Sequence, residues 1–203
     1  MIDSFLRRHL ESPLDRCARA LDRPAITPDR ITAAGLVLGL GSALAAGLQF
    51  WILALVLWIV SRIADGLDGP LARRRATTAG AGGFFDITAD FVVYGTTVVG
   101  VAVGASAGYD APWWPFLLVL LAYYINGTAF LAFSSIAERT GRTIDDGRSL
   151  SFLGGLAEGA ETIAVHSLWL LLPGISWQIA VVWAAVVAVS SGQRIIAGYR
   201  ALS

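Results

Sequence analysis

The sequence predicts an all-α integral membrane protein, with six transmembrane helices preceded by an N-terminal amphipathic interfacial helix. Three observations predict it. First, 56% of the 203 residues are hydrophobic and only 15% are charged, a balance rare in a soluble domain of this length. Second, apolar runs lie near 31–49, 52–75, 80–105, 113–137, 150–172 and 176–199. Each is close to the ~20 residues that a bilayer requires. Third, all 15 basic residues are arginine, and they segregate to one side of such a chain.

Residues 1–29 read as a juxtamembrane helix and linker, and 30–203 as one membrane domain. Within 2–21, Ile2, Phe5, Leu6, Leu10, Leu14, Cys17 and Leu21 recur at helical spacing, while Arg7, Arg8, Arg16 and Arg19 supply the polar side. Such a helix lies in the interface on anionic lipid, with Pro13 as a point of bending. No apolar core of a cleavable signal peptide is evident in the first thirty residues. The single cysteine, Cys17, excludes an intramolecular disulfide or a cysteine-rich metal site. The segment PAITPDRIT, 24–32, breaks this helix and starts the next, with Thr27 as N-cap and Pro28 at the first helical position.

With six spans both termini share a side. The N-terminal tail, the 73–79 loop, the 138–149 loop and the C-terminus then hold every arginine except Arg62. The opposite loops, near 49–51, 106–112 and 173–176, hold none, and Trp51, Trp113, Trp114 and Trp177 fall beside them as an aromatic belt would. Positive residues stay inside. The reading is therefore a protein of the plasma (cytoplasmic) membrane whose arginine-rich side faces the cytoplasm. Gly35, Gly39 and Gly41, with Ala34 and Ala45, predict close helix packing. No internal repeat supports an inverted-repeat transporter, and no motif points to nucleic acid.

The stretch 65–90, DGLDGPLARRRATTAGAGGFFDITAD, opens to that arginine-rich side. Asp65 and Asp68 are spaced i, i+3, and Asp86 and Asp90 i, i+4, so each pair shares one helical face. Arg73 to Arg75 and the small residues 77–83 form the turn between them. A helical hairpin whose acidic faces meet brings four carboxylates together near a membrane surface. Four such charges repel, and each costs roughly 3 kcal/mol at the centre of a spanning helix. Hard divalent cations relieve both problems. Mg²⁺ and Mn²⁺ take oxygen ligands, and Mg²⁺ commonly shares its shell with a substrate phosphate. Gly69 and Gly82 leave room for a bulky ligand, and Arg73 can meet a phosphate through a bidentate contact. The site reads as built for a metal-bound diphosphate.

Other polar residues in the spans have two readings each. Arg62, one turn before Asp65, is a charge partner of the carboxylates or a phosphate contact. Glu158 and Glu161, in the fifth predicted span, either border the polar cavity or bond between helices. With Arg62 and Arg148 they form a candidate acceptor pocket. Arg139, Arg142, Arg148 and Arg194 either attract an anionic substrate or simply follow topology. His166 reads as a packed, hydrogen-bonded residue rather than a ligand, and Asn126 as a partner between helices or a packed residue.

The spacing D-x2-D-G-x2-A-R-x8-G-x3-D-x3-D is met in full by Asp65, Asp68, Gly69, Ala72, Arg73, Gly82, Asp86 and Asp90. It resembles the signature of the CDP-alcohol phosphotransferases (CDP-alcohol phosphatidyltransferases), which make phospholipids. The resemblance implies that 30–203 is a six-helix membrane domain of that family, usually homodimeric. It implies that Asp65, Asp68, Asp86 and Asp90 hold two divalent ions, Mg²⁺ or Mn²⁺, with Asp90 also the general base. Gly69, Ala72, Arg73, Thr78 and Gly82 would contact the CDP group. Pro28, Asp29, Arg30 and Ile31 resemble the start of a P-N-x-x-T element that approaches the CDP-lipid, with Asp29 where Asn is usual. The implied reaction moves a phosphatidyl group from a CDP-linked lipid, such as CDP-diacylglycerol, to a small alcohol acceptor and releases CMP.

The acceptor stays open between serine, glycerol-phosphate and inositol-phosphate types. Phe91 follows Asp90, where glycerol-phosphate-type members commonly carry Lys and inositol-phosphate-type members Arg, and DFVVYG resembles serine-type members. Two competing classes remain, a non-catalytic CDP-lipid binder and a membrane cation carrier. The carrier leaves Gly69, Ala72, Arg73 and Gly82 unexplained, and an arginine beside a cation path is a barrier.

Overall fold

A computed structural model describes residues 16–20, 22–23, 25–75, 80–141 and 157–203. Among them the chain is helical throughout, in six α-helices: α1 (Pro28–Gly47), α2 (Trp51–Arg74), α3 (Gly80–Tyr109), α4 (Trp114–Thr140), α5 (Gly159–Leu171) and α6 (Ser176–Leu202). A 3₁₀ turn, Pro173–Ile175, joins the last two. Of the interfacial helix, only 16–20 is described, and it is helical. The rest of that expectation, with Thr78, Arg142 and Arg148, lies outside the described residues.

Among the described residues, four segments are long and apolar enough to cross a membrane: Pro28–Gly47, Gly80–Tyr109, Trp114–Thr140 and Pro173–Leu202. The protein is thus a membrane protein with several apolar spans. α2 is long enough but carries Arg62, Asp65 and Asp68 in its second half, and α5 as described has 13 residues. The outer faces remain apolar, with Val37, Leu44, Ile52, Phe84, Tyr124 and Val182 exposed. Such faces suit lipid rather than water.

Local chemistry sets the helix ends. Thr27 caps α1 as its residue type predicts: its side chain accepts from the Arg30 N–H, and Pro28 occupies the first turn. α1 stops where Gln49 takes a positive φ of 64° and the Phe50 N–H reaches Ala45 O at 2.8 Å. Gly141, at φ 68°, ends α4 in the left-handed conformation glycine allows.

The packing is uneven. α1 runs along both α2 and α3, α4 runs along α6, and α5 bridges α2, α3 and α6. Small residues let α1 approach. A Cβ on Gly100 or Gly104 of α3 would meet the backbone carbonyls of Ala43 or Ala46, so only glycine fits there. Gly35 and Gly39 likewise face Ser61 of α2, and Gly39 also faces Val93 of α3. α2 and α3 themselves are not a close-packed pair. The hairpin predicted from the acidic spacing therefore stands with its arms apart. α1 holds both, and the carboxylates meet across the gap.

The turns at 48–50, 110–113 and 172–175 share one end of the molecule. The Trp51 and Tyr109 rings lie 6.1 Å apart, and Gly174 sits against the Tyr109 ring. These turns contain no arginine. The core between them holds Trp58, Phe116, Trp169, Leu170 and Val187.

Candidate active site

Asp65 and Asp68 project from α2, and Asp86 and Asp90 from α3. One carboxylate oxygen from each of Asp65, Asp68 and Asp86 lies within 4.8 Å of the others. Asp68 is 6% exposed and accepts from Thr32 Oγ1 of α1 at 2.6 Å. The side chains of Asp65 and Asp90 also meet, as do those of Asp68 and Asp86. Like charges gathered this closely need positive charge between or beside them. The donor set is all oxygen, on rigid helices, and half-open, which fits a hard divalent cation.

Asp90 lies on the Asp65 side of the group and is also paired with an arginine. Its Oδ1 accepts from Arg62 Nη1 at 2.6 Å, and Arg62 lies 3.7 Å from Asp65 Oδ2. Arg62, offered above as a charge partner and for an acceptor pocket, is thus ion-paired with two of the carboxylates. Its guanidinium lies 5.2 Å from the Trp58 ring centroid and 5.1 Å from that of Tyr94. Arg62 Nη2 also donates to Ser61 Oγ at 3.0 Å, and Ser61 donates to Gly35 O of α1.

Two of the residues expected around the diphosphate meet where α3 and α1 begin. Gly82, at the start of α3, faces Asp29 at the start of α1: a Cβ there would be 3.3 Å from Asp29 Oδ1. Gly69 faces the Arg73 guanidinium at 3.6 Å on the same terms, and Arg73 is exposed. Pro28 and Ile31 are half-buried, and Asp29 and Arg30 exposed. Arg30 turns back to donate to Ala25 O at 2.6 Å. Ala72 is half-buried one turn after Asp68.

The other candidates resolve differently. Glu158 and Glu161 lie at the described start of α5 rather than along its length. Glu158 is the residue before α5 and Glu161 lies in its first turn, where the exposed N–H groups and helix dipole favour carboxylates. Glu161 Oε2 is buried with no hydrogen-bond partner among the described residues. Arg194 is buried on α6 and donates to Ala157 O at 3.4 Å, beside the start of α5. His166 is fully buried and hydrogen-bonded to the Tyr123 hydroxyl at 2.9 Å, a packed residue as expected. Asn126 Oδ1 is buried without a partner, so no interhelical bond forms at that atom.

Sequence reasoning missed Trp58 and Tyr94. The signal was present: Trp58 is four residues before Arg62, and Tyr94 four after Asp90. Helical spacing puts each beside its partner.

The model of the CDP-alcohol phosphatidyltransferase family matches residues 25–191. The Escherichia coli (strain K12) inner membrane protein YnjF is 36% identical over all of this chain and 97% of its own length. An archaetidylinositol phosphate synthase from Pyrococcus horikoshii is 32% identical over 70% of this chain and 78% of its own. The crystal structure of Mycobacterium tuberculosis phosphatidylinositol phosphate synthase with CDP-DAG bound superposes with a TM-score of 0.67 at 21% identity. That match covers 93% of this chain and 92% of the other, and it supports the fold. The matched span contains the entire carboxylate hairpin and the α1 start that faces it, and on this ground the chain belongs to the CDP-alcohol phosphatidyltransferase family.

Proposed function

We propose that the protein is a phospholipid-synthesis transferase. It moves a phosphatidyl group from a CDP-linked lipid such as CDP-diacylglycerol to the hydroxyl of a small alcohol, releasing CMP. The convergence of Asp65, Asp68 and Asp86 beside the glycines that face Asp29 and Arg73 carries this reading. A carrier or a passive cation site needs the carboxylates but not those glycines.

Asp65, Asp68 and Asp86, with Asp90, would hold two divalent ions, Mg²⁺ or Mn²⁺. When bound they supply Lewis-acid stabilisation of the diphosphate and the departing CMP. The chain's own residues do the rest. Gly69 and Gly82 leave space for the nucleotide, and exposed Arg73 offers a planar pair of donors to a phosphate oxygen. Pro28, Asp29, Arg30, Ile31, Ala72 and Thr78 complete the CDP-lipid contacts. Thr32 holds Asp68 by a 2.6 Å hydrogen bond, which fixes one carboxylate on the buried side. Asp90 takes the proton from the attacking hydroxyl. The gap between α2 and α3 admits the diphosphate, and the lipid tails remain in the bilayer.

The protein works as a six-span homodimer in the plasma (cytoplasmic) membrane, its site on the cytoplasmic face. The one-sided arginines and the arginine-free end formed by three turns support that orientation. Residues 1–29 lie on the membrane surface and 30–203 form the membrane domain. Two observations bear on the acceptor and point apart. Relatives named as archaetidylinositol phosphate synthase and phosphatidylinositol phosphate synthase favour an inositol phosphate. Phe91, apolar and packed against Gly127, favours an acceptor without a phosphate, such as serine.

CMP release from CDP-diacylglycerol by the purified protein tests the reading. Serine, glycerol phosphate, inositol phosphate, inositol and amino alcohols would be offered in turn. One of them should raise CMP release well above the rate without acceptor. Binding of CDP-diacylglycerol with no CMP release from any acceptor would instead mark a lipid binder.

A further inference from the structure

We propose that Arg62 is a positioning residue for the transfer reaction, holding the Asp90 carboxylate where it meets the attacking hydroxyl. This rests on the reading above that Asp90 accepts the proton.

Both terminal nitrogens and one flank of the guanidinium are engaged, while the buried Nε has no partner among the described residues. The guanidinium carbon lies 5.2 Å from the Trp58 ring centroid and 5.1 Å from that of Tyr94, and those centroids are 5.9 Å apart, so both rings lie on one flank. The guanidinium edge gives Nη1 to Asp90 at 2.6 Å and Nη2 to Ser61 at 3.0 Å. Ser61 is tied to Gly35 O of α1 at 2.7 Å. The aromatic wall is anchored in turn. Trp58 Nε1 donates to Ser167 of α5 at 3.1 Å, and the Trp58 ring stacks on His166 at 5.0 Å. His166 bonds Tyr123 of α4 at 2.9 Å, and Tyr123 accepts from Trp183 of α6 at 2.7 Å. All six helices therefore contribute to where Arg62 sits, and Arg62 decides where Asp90 sits.

That arrangement does not suit a phosphate contact. Arg62 is 8% exposed, and both terminal nitrogens are engaged. Exposed Arg73 has the opposite character. A planar, always-charged fork packed against two rings and bonded at both ends also has few rotamers, so it transmits the geometry of the bundle to one carboxylate oxygen. Lysine has neither the plane nor the fork. Misplacing a reacting group by about 1 Å costs on the order of 10²-fold in rate, so such a hold is worth keeping.

A double-mutant cycle tests this on the full-length protein in detergent. Wild type, Arg62→Gln, Asp90→Asn and the double variant are compared in CMP release from CDP-diacylglycerol, with the acceptor that wild type turns over. CDP affinity in the presence of Mn²⁺ is measured by calorimetry. Arg62→Gln should lower kcat about 10- to 100-fold, with KM for CDP-diacylglycerol and CDP affinity little changed. The double variant should be no slower than Asp90→Asn, because Arg62 acts through Asp90. Arg62→Lys keeps the charge and carries the test should Arg62→Gln fail to fold. It should recover part of kcat, again at unchanged KM. A double variant whose loss is the product of the two single losses would overturn the proposal, as would a variant that raises KM or weakens CDP while kcat holds. Near wild-type turnover in Asp90→Asn is a different result: it removes Asp90 as the base, whatever Arg62 does.

Discussion

Four aspartates of one chemical type have different neighbours, and the proposed roles follow from that difference. Asp65, Asp68 and Asp86 crowd within 4.8 Å, whereas Asp90 is bound to Arg62. Asp90→Asn should therefore cost about 10²–10⁴ in turnover, or roughly 3–5 kcal/mol of barrier, while CDP binding persists. Asp65→Asn should weaken divalent-ion and CDP binding together. Calorimetry with CDP and Mn²⁺ beside CMP release separates the two, and equal loss of binding in both would make Asp90 chiefly a ligand. Gly82 supplies a steric check. Its missing Cβ faces Asp29 at 3.3 Å, so Gly82→Leu should fill the nucleotide space and abolish CDP binding while the thermal midpoint stays close to wild type. Retained CDP affinity in Gly82→Leu would place the nucleotide elsewhere. The aspartates and glycines were legible in the sequence because offsets of three and four mean a shared helical face. The hold on Asp90 was legible only in part: helical spacing sets Trp58 beside Arg62 and Tyr94 beside Asp90, but the meeting of the two pairs depends on how α2 and α3 are placed in the bundle.

At the scale of the helices, α1 is the element that fixes the distance between the two acidic arms. It touches both, and they scarcely touch each other. Gly100 and Gly95 on α3 give a matched test. A Cβ at Gly100 would strike the Ala43 carbonyl, whereas nothing lies within 4 Å of one at Gly95. Gly100→Ala should destabilise by about 1–3 kcal/mol through overpacking. Gly95→Ala should be neutral or stabilise by up to about 1 kcal/mol through helix propensity. Thermal unfolding in detergent reads both, and a stable, active Gly100→Ala would show that α1 and α3 need not be so close. The helix limits were well marked by Thr27, Pro28 and the apolar runs. The start of α5 was not: hydropathy extended the run back past Glu158, and only the glycines around it hinted that the helix begins later.

At the scale of the whole molecule, the arginine distribution predicts that the carboxylate hairpin opens to the cytoplasm. Single cysteines at Asp110 and Ser203, on a Cys17→Ser background, report the two sides. An impermeant thiol reagent applied to intact cells should label Asp110→Cys and spare Ser203→Cys, and the reverse would invert the topology. The sequence reads as six apolar runs, and four described segments are long and apolar enough on their own. The other two runs correspond to α2, which carries Arg62, Asp65 and Asp68, and to α5, which has 13 described residues. The central claim is that those carboxylates form a metal-dependent transfer centre. It is tested most directly by CMP release from CDP-diacylglycerol before EDTA, in excess EDTA, and after Mg²⁺ or Mn²⁺ is restored. Release should stop in EDTA and return with the ion, and Asp65→Asn should respond only to much higher ion concentrations. Undiminished CMP release in EDTA after dialysis would contradict it.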